Sequence, residues 1–243
     1  MRNGAIDERS LPEASAPHGT RANSVLRPIV FGANDGLVSN LALVMGVAGA
    51  TSEPGIIVLA GVAGLIAGAF SMGVGEYISV QSQRELLDYQ VAFQRKQLRE
   101  APEQERAILA GLYLERGFSP EETAQFVNAV FDEPDHAVRL LIFEEVGLDA
   151  RSIGSPLSAA VGSFASFTAG AFVPLLPYLL ADGAGAFFAS LLVSLLALAL
   201  LGIGIAALTR RPAWYGALRQ VLLGGVAAAV TYAVGLWVGI GVG

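Results

Sequence analysis

The sequence contains no cysteine among its 243 residues, and only one lysine and two histidines. The missing cysteines exclude disulfide bonds, thiolate metal sites and cysteine nucleophiles. Any metal ligands must then be oxygen, imidazole or thioether groups. Charged residues are also scarce, at 15% of the chain, whereas 53% of the residues are hydrophobic and 29 are glycine. This composition is typical of an integral membrane protein and not of a soluble one.

The basic residues fall in three places, namely the N-terminal tail, residues 81–151, and a short region that contains Arg210, Arg211 and Arg219. Between these places lie apolar stretches long enough to cross a hydrocarbon core of about 30 Å, which takes about 20 helical residues. The predicted spans are Pro28–Gly49, Gly55–Val80, Pro156–Leu180, Gly183–Leu208 and Tyr215–Ile240.

The placement of charge also predicts an orientation in the membrane. With the N-terminus in the cytoplasm, all fifteen basic residues lie on the cytoplasmic side, while the opposite loops at Thr51–Pro54 and Ala181–Asp182 carry acids and no bases. We therefore expect an all-α membrane protein with five transmembrane helices and a cytoplasmic helical insert between helices 2 and 3. Its expected parts are a flexible N-terminal tail that is not a cleaved signal peptide (1–25), transmembrane helices 1 and 2 (26–80), an acidic module (81–151) and transmembrane helices 3 to 5 (152–243).

The acidic module carries fourteen acidic residues against eight basic ones. A helix is predicted to run out of the second span to Arg99, and further helices are predicted to open at Pro102, at the capping pattern Ser119-Pro120-Glu121-Glu122, and at Pro134. The excess of acids could attract cations, and Glu100 and Glu103 lie on one helix face. Each single acid is more simply explained as part of a solvated helix surface.

Two acidic residues, Asp35 and Glu76, lie inside the first two predicted spans, where burying an acid is costly enough to indicate a function. Glu76 is near enough to the cytoplasmic end to reach headgroup water. At 1.5 Å per residue, Asp35 lies about 10 Å deep and Met72 about 12 Å deep in the antiparallel neighbour. A carboxylate and a thioether at one level indicate a path for a soft divalent ion such as Fe²⁺, because Mg²⁺ and Ca²⁺ prefer oxygen alone. Met72 could instead be an ordinary packing residue.

The third span contains the run Val173-Pro174-Leu175-Leu176-Pro177-Tyr178. Its two prolines are expected to kink the helix and free backbone carbonyl groups near the outer end. Such a break suits a gate or an exit, and it equally suits a simple helix terminus.

Three separated motifs resemble those of the vacuolar iron transporter family: Phe31-Gly32-Ala33-Asn34-Asp35-Gly36-Leu37, the segment Ser71–Val80, and the segment Val173–Tyr178. The resemblance covers about residues 26–241. It implies a homodimer that moves Fe²⁺, and often Mn²⁺, out of the cytosol in exchange for protons, along a path between the first and second helices. By this resemblance Asp35 matches the path carboxylate and Met72 the path methionine.

The chain also departs from the family pattern. Gly64 stands where some relatives have an acid two turns before the path methionine, and Glu76 could partly substitute for it. Within the module, Glu105 and Glu145 match metal-binding glutamates of the family. Other matching positions hold Gln94, Gln97 and Ile108. By the same resemblance, Leu141 and Ile142 replace the two metal-binding methionines of the family. We expect Glu100, Glu103 and Glu144 to help to rebuild a weaker metal site there.

The sequence therefore predicts a secondary transporter, not an enzyme, that exports Fe²⁺ or Mn²⁺ from the cytosol. The candidate metal ligands are Asp35, Met72, Glu76, Glu100, Glu103, Glu105, Glu144 and Glu145. No cofactor is expected; the expected partners are divalent metal ions, the lipid bilayer and a second copy of the chain. The net charge of −6 argues against nucleic acid.

Two other functions stay open, namely a membrane-anchored metal sensor or scaffold and a metal channel without proton coupling. An intramembrane enzyme is disfavoured, because the spans hold no Ser/His pair, no paired aspartates and no HExxH motif. One lysine against fourteen arginines, with abundant alanine, indicates a GC-rich gene. We therefore expect the host membrane to be a bacterial plasma membrane.

Overall fold

The computed structural model describes residues 19–146, 154–181 and 183–242, and all the regular structure in these ranges is helical. The helices are α1 (Gly19–Ala50), α2 (Pro54–Glu100), α3 (Pro102–Glu115), α4 (Pro120–Phe131), α5 (Pro134–Val146), α6 (Pro156–Phe172), α7 (Leu176–Leu180), α8 (Ala184–Leu208) and α9 (Ala213–Val242). The predicted all-α class is confirmed for the described chain. Most of the predicted N-terminal tail lies outside the described residues.

Four helices in these ranges are long and apolar enough to cross a membrane: α1 from Leu26 onward, α2, α8, and α9 as far as Gly239. The chain is thus an integral membrane protein. The remaining predicted span, residues 156–180, is not one continuous helix. It is divided into α6 and α7, which have 17 and 5 residues and are each too short to cross alone.

The division of this span follows from Pro174, which has no backbone N–H group to continue the helix. The amide of Leu175 donates to the carbonyl of Phe172 at 3.1 Å, in a tighter turn. The carbonyl of Ala171 instead accepts a hydrogen bond from the side-chain amide of Asn40, at 2.6 Å. The carbonyl of Pro174 accepts one from the hydroxyl of Ser190, also at 2.6 Å. Polar side chains of α1 and α8 thus satisfy backbone groups at the break.

Glycine allows the helix backbones of this part of the chain to approach closely. A Cβ atom on Gly36 of α1 would meet the backbone carbonyl of Phe167 in α6, and one on Gly170 of α6 would meet the carbonyl of Ala33. A Cβ atom on Gly235 of α9 would meet the carbonyl of Gly46 in α1. Between α8 and α9, a Cβ atom on Gly202 or on Gly216 would meet the carbonyl of the other glycine. Small residues are the usual means of such close packing between helices in membranes.

The contacts of the chain separate residues 81–154 from residues 25–80 and 155–243. Within residues 81–154, α3, α4 and α5 enclose an apolar core. Its buried members are Leu109, Val127, Val130, Ala137 and Leu141. The end of α2 at Glu100 and the helix starts at Pro102, Pro120 and Pro134 confirm the predicted helices of this module within one residue.

The capping box predicted at Ser119 is present at the start of α4. The Ser119 hydroxyl accepts a hydrogen bond from the amide of Glu122 at 3.2 Å, and the Glu122 carboxylate accepts one from the amide of Ser119 at 3.0 Å. This bond from the Ser119 amide holds the pKa of Glu122 below its ordinary value. The box fixes where α4 begins.

Candidate metal site

Asp35 and Met72, which the sequence placed at one depth, line the same cavity of about 330 Å³. The cavity lies within residues 25–80 and 155–243. Its lining residues are Asp35, Ser39, Asn40 and Leu43 of α1, Gly64, Gly68, Ser71 and Met72 of α2, and Phe167 of α6. The carboxylate and the thioether, which were predicted to lie close together, therefore border one cavity in the structure. Their role as metal ligands stays a prediction.

The direction of Asp35 follows from the glycines on either side of it in α1. Gly32 and Gly36 are one turn apart and press against α6, where a Cβ atom would meet the backbone carbonyls of Ser163 and Phe167 respectively. Adjacent residues of a helix are turned by about 100° from one another. Asp35 therefore leaves the face that packs on α6 and borders the cavity shared with α2.

On α2, two positions on the same face as Met72 have no side chain. Gly64, Gly68 and Met72 follow one another at intervals of four residues. A Cβ atom on Gly68 would collide with the ring of Phe167, and one on Gly64 would meet Leu43 and Asn40. Gly64 and Gly68 therefore let Leu43 of α1 and Phe167 of α6 lie close against this face of α2.

The donor groups at the cavity are one carboxylate, one amide, two serine hydroxyls and one thioether. Asn40 is buried and Asp35 is half-buried, whereas Ser39 and Ser71 are exposed. Within the described residues, no three Asp, Glu, His or Cys side chains are grouped so that they could hold a metal ion. An ion here would therefore depend on neutral oxygens and sulfur beside a single negative charge, a mixture that suits transition metals better than Ca²⁺ or Mg²⁺.

Glu76 does not join the residues that line this cavity. It is half-buried one turn after Met72. Ser39, Asn40 and Ser71, by contrast, do line it and were missed by sequence reasoning. The sequence spacing could have indicated the two serines, because Ser39 follows Asp35 by one helical turn and Ser71 directly precedes Met72. What the sequence could not supply was the rotation of each helix about its axis.

The predicted ligands of the acidic module whose side chains are described form ion pairs or are buried, and no group of three acids that could hold a metal ion is found among the described residues. The carboxylate oxygen Oε2 of Glu100 lies 3.9 Å from Nζ of Lys96. The carboxylate oxygen Oε1 of Glu103 lies 3.9 Å from Nε of Arg106. Glu105 is buried, at 5% exposure. The side chain of Glu145 lies outside the described part of the chain.

Glu144 is bound within the module by Arg116. One carboxylate oxygen accepts a hydrogen bond from Arg116 at 2.8 Å, and the other pairs with the second terminal nitrogen of the same guanidinium group. These bonds hold the pKa of Glu144 below its ordinary value, and burial, assisted by Glu144, raises the pKa of Tyr113 beside it. Leu141 and Ile142, which the resemblance matched to metal-binding methionines, are both buried in apolar clusters.

Comparison with known proteins decides the family. The model of the VIT family matches residues 26–236. The chain belongs to the VIT family. This VIT-family chain is 30% identical to vacuolar iron transporter 1 of Arabidopsis thaliana, over 87% of its own length and 85% of that protein. It is also 30% identical to a vacuolar iron transporter of Centaurea cyanus, over 93% and 92% of the two lengths.

Membership of the VIT family confirms the predicted resemblance and supports metal transport, not catalysis, as the function. A vacuolar iron transporter of Acanthamoeba castellanii is 36% identical over 62% of this chain and 54% of that protein. These relatives of the VIT-family chain are named as vacuolar proteins and come from eukaryotes. Their names therefore do not support the expected bacterial plasma membrane.

Proposed function

We propose that this chain is a secondary transporter that exports Fe²⁺ or Mn²⁺ from the cytosol in exchange for protons. The observation that carries the proposal is the cavity shared by Asp35 and Met72 in a membrane protein of the VIT family. Its relatives are named iron transporters. The donor set of the cavity favours transition metals over Mg²⁺ and Ca²⁺.

The exchange follows from the single carboxylate at the cavity. Asp35 must be ionised to hold a divalent ion, and protonation removes the charge that holds it. One carboxylate can therefore bind metal from one side of the membrane and a proton from the other. With one negative charge against two positive ones, the ion keeps a net charge in the site, which favours its release.

The proposed topology has five crossings, with the N-terminus and the acidic module in the cytoplasm. In the third crossing, α6 and α7 lie end to end and together cover residues 156–180. Asn40 and Ser190 donate hydrogen bonds to one carbonyl in the last turn of α6 and one in the turn before α7, and these bonds support this arrangement, because unpaired backbone groups are costly in a bilayer. The break lies one helical turn from Phe167, which lines the cavity.

The proposed assembly is a homodimer in which the second copy covers the open side of the cavity. Leu43 of α1, at 37% exposure, lies at this opening with the exposed hydroxyls of Ser39 and Ser71. Serine is favoured where helices pack together in membranes. A second copy would bring an equivalent set of donors to the same ion path.

The acidic module is proposed to attract cations from the cytosol. Glu100 and Glu103 keep 60% and 90% of their side chains exposed, and their ion pairs of 3.9 Å are loose. An exposed excess of acids raises the local concentration of cations through its long-range field, which salt screens.

The test is metal flux into vesicles that contain the purified protein and a dye quenched by metal. We expect Fe²⁺ and Mn²⁺ uptake to increase with an opposing proton gradient, and Asp35→Ala and Asp35→Asn to abolish it while the protein still elutes as a folded species. Glu53→Gln is the matched control, because Glu53 is an exposed acid between α1 and α2 that does not line the cavity. Transport retained by both Asp35 variants would refute the mechanism.

The same assay separates the other two functions. A sensor or scaffold would bind metal but give no flux with the wild-type protein. An uncoupled channel would give flux that a proton gradient leaves unchanged. Either result would replace the exchange mechanism proposed above.

A further inference from the structure

We propose that the side-chain carbonyl of Asn40 is a second protein oxygen ligand of the transported ion, held in place by the break in the third span. The inference deepens the proposed function and rests on it for the identity of the ion. Three observations support it: Asn40 lines the cavity, its amide nitrogen donates a hydrogen bond to α6, and its amide oxygen accepts none within the described residues.

Asn40 is 2% exposed and lines the cavity together with Asp35 and Met72. Its amide nitrogen donates to the carbonyl of Ala171 at 2.6 Å. This bond fixes the rotation of the side chain, because the nitrogen must face α6. Within the described residues the amide oxygen, Oδ1, is buried and accepts no hydrogen bond. A buried carbonyl oxygen without a partner is costly, and a cation is one ligand that would satisfy it.

The oxygen of Asn40 lies close to position 64 of α2, which is glycine. A Cβ atom on Gly64 would lie 3.1 Å from Oδ1 of Asn40, and Gly64 itself lines the cavity. With glycine at position 64, no side-chain carbon of that residue is pressed against the oxygen. Amide oxygens are neutral ligands of divalent cations, so Asn40 would add coordination without adding charge. The ion would then be held by the carboxylate of Asp35, the amide of Asn40 and the thioether of Met72.

The anchor of Asn40 is a consequence of Pro174. Since Leu175 turns back to Phe172, the carbonyl of Ala171 is left for the Asn40 amide. The ion ligand on α1 is thereby tied to the last turn of α6. A second side chain, Ser190 of α8, binds the carbonyl of Pro174 at the same break but does not line the cavity. Ser190 therefore provides a control for the purely structural effect of losing a bond at this break.

The experiment measures equilibrium binding of Mn²⁺ by calorimetry to the purified full-length protein in detergent. We expect Asn40→Ala to raise the Kd for Mn²⁺ by about tenfold, which corresponds to about 1.4 kcal/mol. Ser190→Ala should leave this Kd within about twofold, although both variants lose a buried hydrogen bond and both should lower the thermal midpoint. An unchanged Kd in Asn40→Ala, or an equal rise in Ser190→Ala, would overturn the proposal.

A second pair of variants tests the oxygen without removing Asn40 or its anchor. Gly64→Ala places a methyl group against Oδ1 and should also weaken Mn²⁺ binding, provided that the end of the exposed Leu43 side chain moves aside. Gly75→Ala is the matched control, since nothing among the described residues lies within 4 Å of a Cβ atom there. Equal Mn²⁺ affinity in these two variants would count against the proposal even if Asn40→Ala did not fold.

Failure of the transport function gives a different result from failure of this inference. Wild-type protein that binds Mn²⁺ but shows no flux in vesicles would refute the transporter, while the Kd values above would still decide the role of Asn40. Wild-type protein that transports Mn²⁺, with Asn40→Ala equal to it in Kd, would refute only the ligand role.

Discussion

The Glu144 carboxylate accepts hydrogen bonds on both oxygens from the guanidinium group of Arg116, 28 residues earlier in the chain. Only 7% of the Glu144 side chain is exposed, and the hydroxyl of Tyr113 also donates to it at 3.3 Å. The chain thus supplies its own cation to a glutamate that the sequence analysis expected to help to rebuild a weaker metal site. The pair joins α5 to the end of α3 without needing a bound ion.

The first prediction concerns the stability of the protein in acid. The pKa of Glu144 in the folded protein lies below its ordinary value of 4.5, so the pair stabilises the fold fully above about pH 4.5 and the effect is lost as pH falls through the lowered pKa. Glu144→Gln should lower the thermal midpoint near pH 7 and show a smaller further drop in acid. Thermal midpoints measured by circular dichroism from about pH 7 to about pH 3 would show the values of the wild type and of Glu144→Gln converging as pH falls.

The control for this effect is Glu121→Gln, which removes an exposed acid in the first turn of α4. A plot of its thermal midpoint against pH should stay nearly parallel to that of the wild type throughout the acid range. Parallel curves for Glu144→Gln as well would show that the Arg116 pair contributes nothing to the pH dependence.

The second prediction concerns the choice of metal. Met72→Leu keeps a side chain of similar size at the cavity but removes the thioether. Because sulfur favours softer ions, Fe²⁺ and Co²⁺ transport should fall by about tenfold, and Mn²⁺ transport should fall less. Met45→Leu is the control, since Met45 is 1% exposed in the apolar core and does not line the cavity.

The measurement is the initial rate of vesicle uptake of Fe²⁺, Co²⁺ and Mn²⁺. The rates of Fe²⁺ and Co²⁺ are each divided by the rate of Mn²⁺ for the same variant, which removes differences in protein yield. An unchanged ratio of Fe²⁺ to Mn²⁺ in Met72→Leu would identify Met72 as a packing residue, the alternative that the sequence left open.

The third prediction concerns the packing that directs Asp35. A Cβ atom on Gly36 would meet the backbone carbonyl of Phe167, which cannot move without shifting α6. Gly36→Ala should therefore lower the thermal midpoint, as overpacking costs about 1–3 kcal/mol, and should reduce transport because Asp35 is adjacent. Gly75→Ala should be neutral or stabilising, since alanine favours the helix by about 1 kcal/mol.

Thermal melts followed by size-exclusion chromatography, together with uptake rates, would compare these two glycine variants directly. Equal behaviour of Gly36→Ala and Gly75→Ala would show that close approach of α1 and α6 is not required for the site.

The break in the third span shows how far local rules reach. The sequence placed Pro174 in that span and predicted free carbonyl groups, because proline lacks an amide in any context. It did not indicate that Asn40 and Ser190 would satisfy those carbonyls, since these side chains come from α1 and α8. A kink in the third of five spans was expected, and two separate short helices, α6 and α7, stand in place of that span.

The sequence by itself determined the helical class, the helix starts in the acidic module and the common depth of Asp35 and Met72. These features depend on capping residues and on the fixed rise of a helix, which are local. The tertiary structure alone decided that Asn40 and Phe167 line the cavity, that Glu76 does not, and that Arg116 binds Glu144. Those features depend on how helices from distant parts of the chain rotate and pack against one another, and no spacing within one segment encodes that rotation.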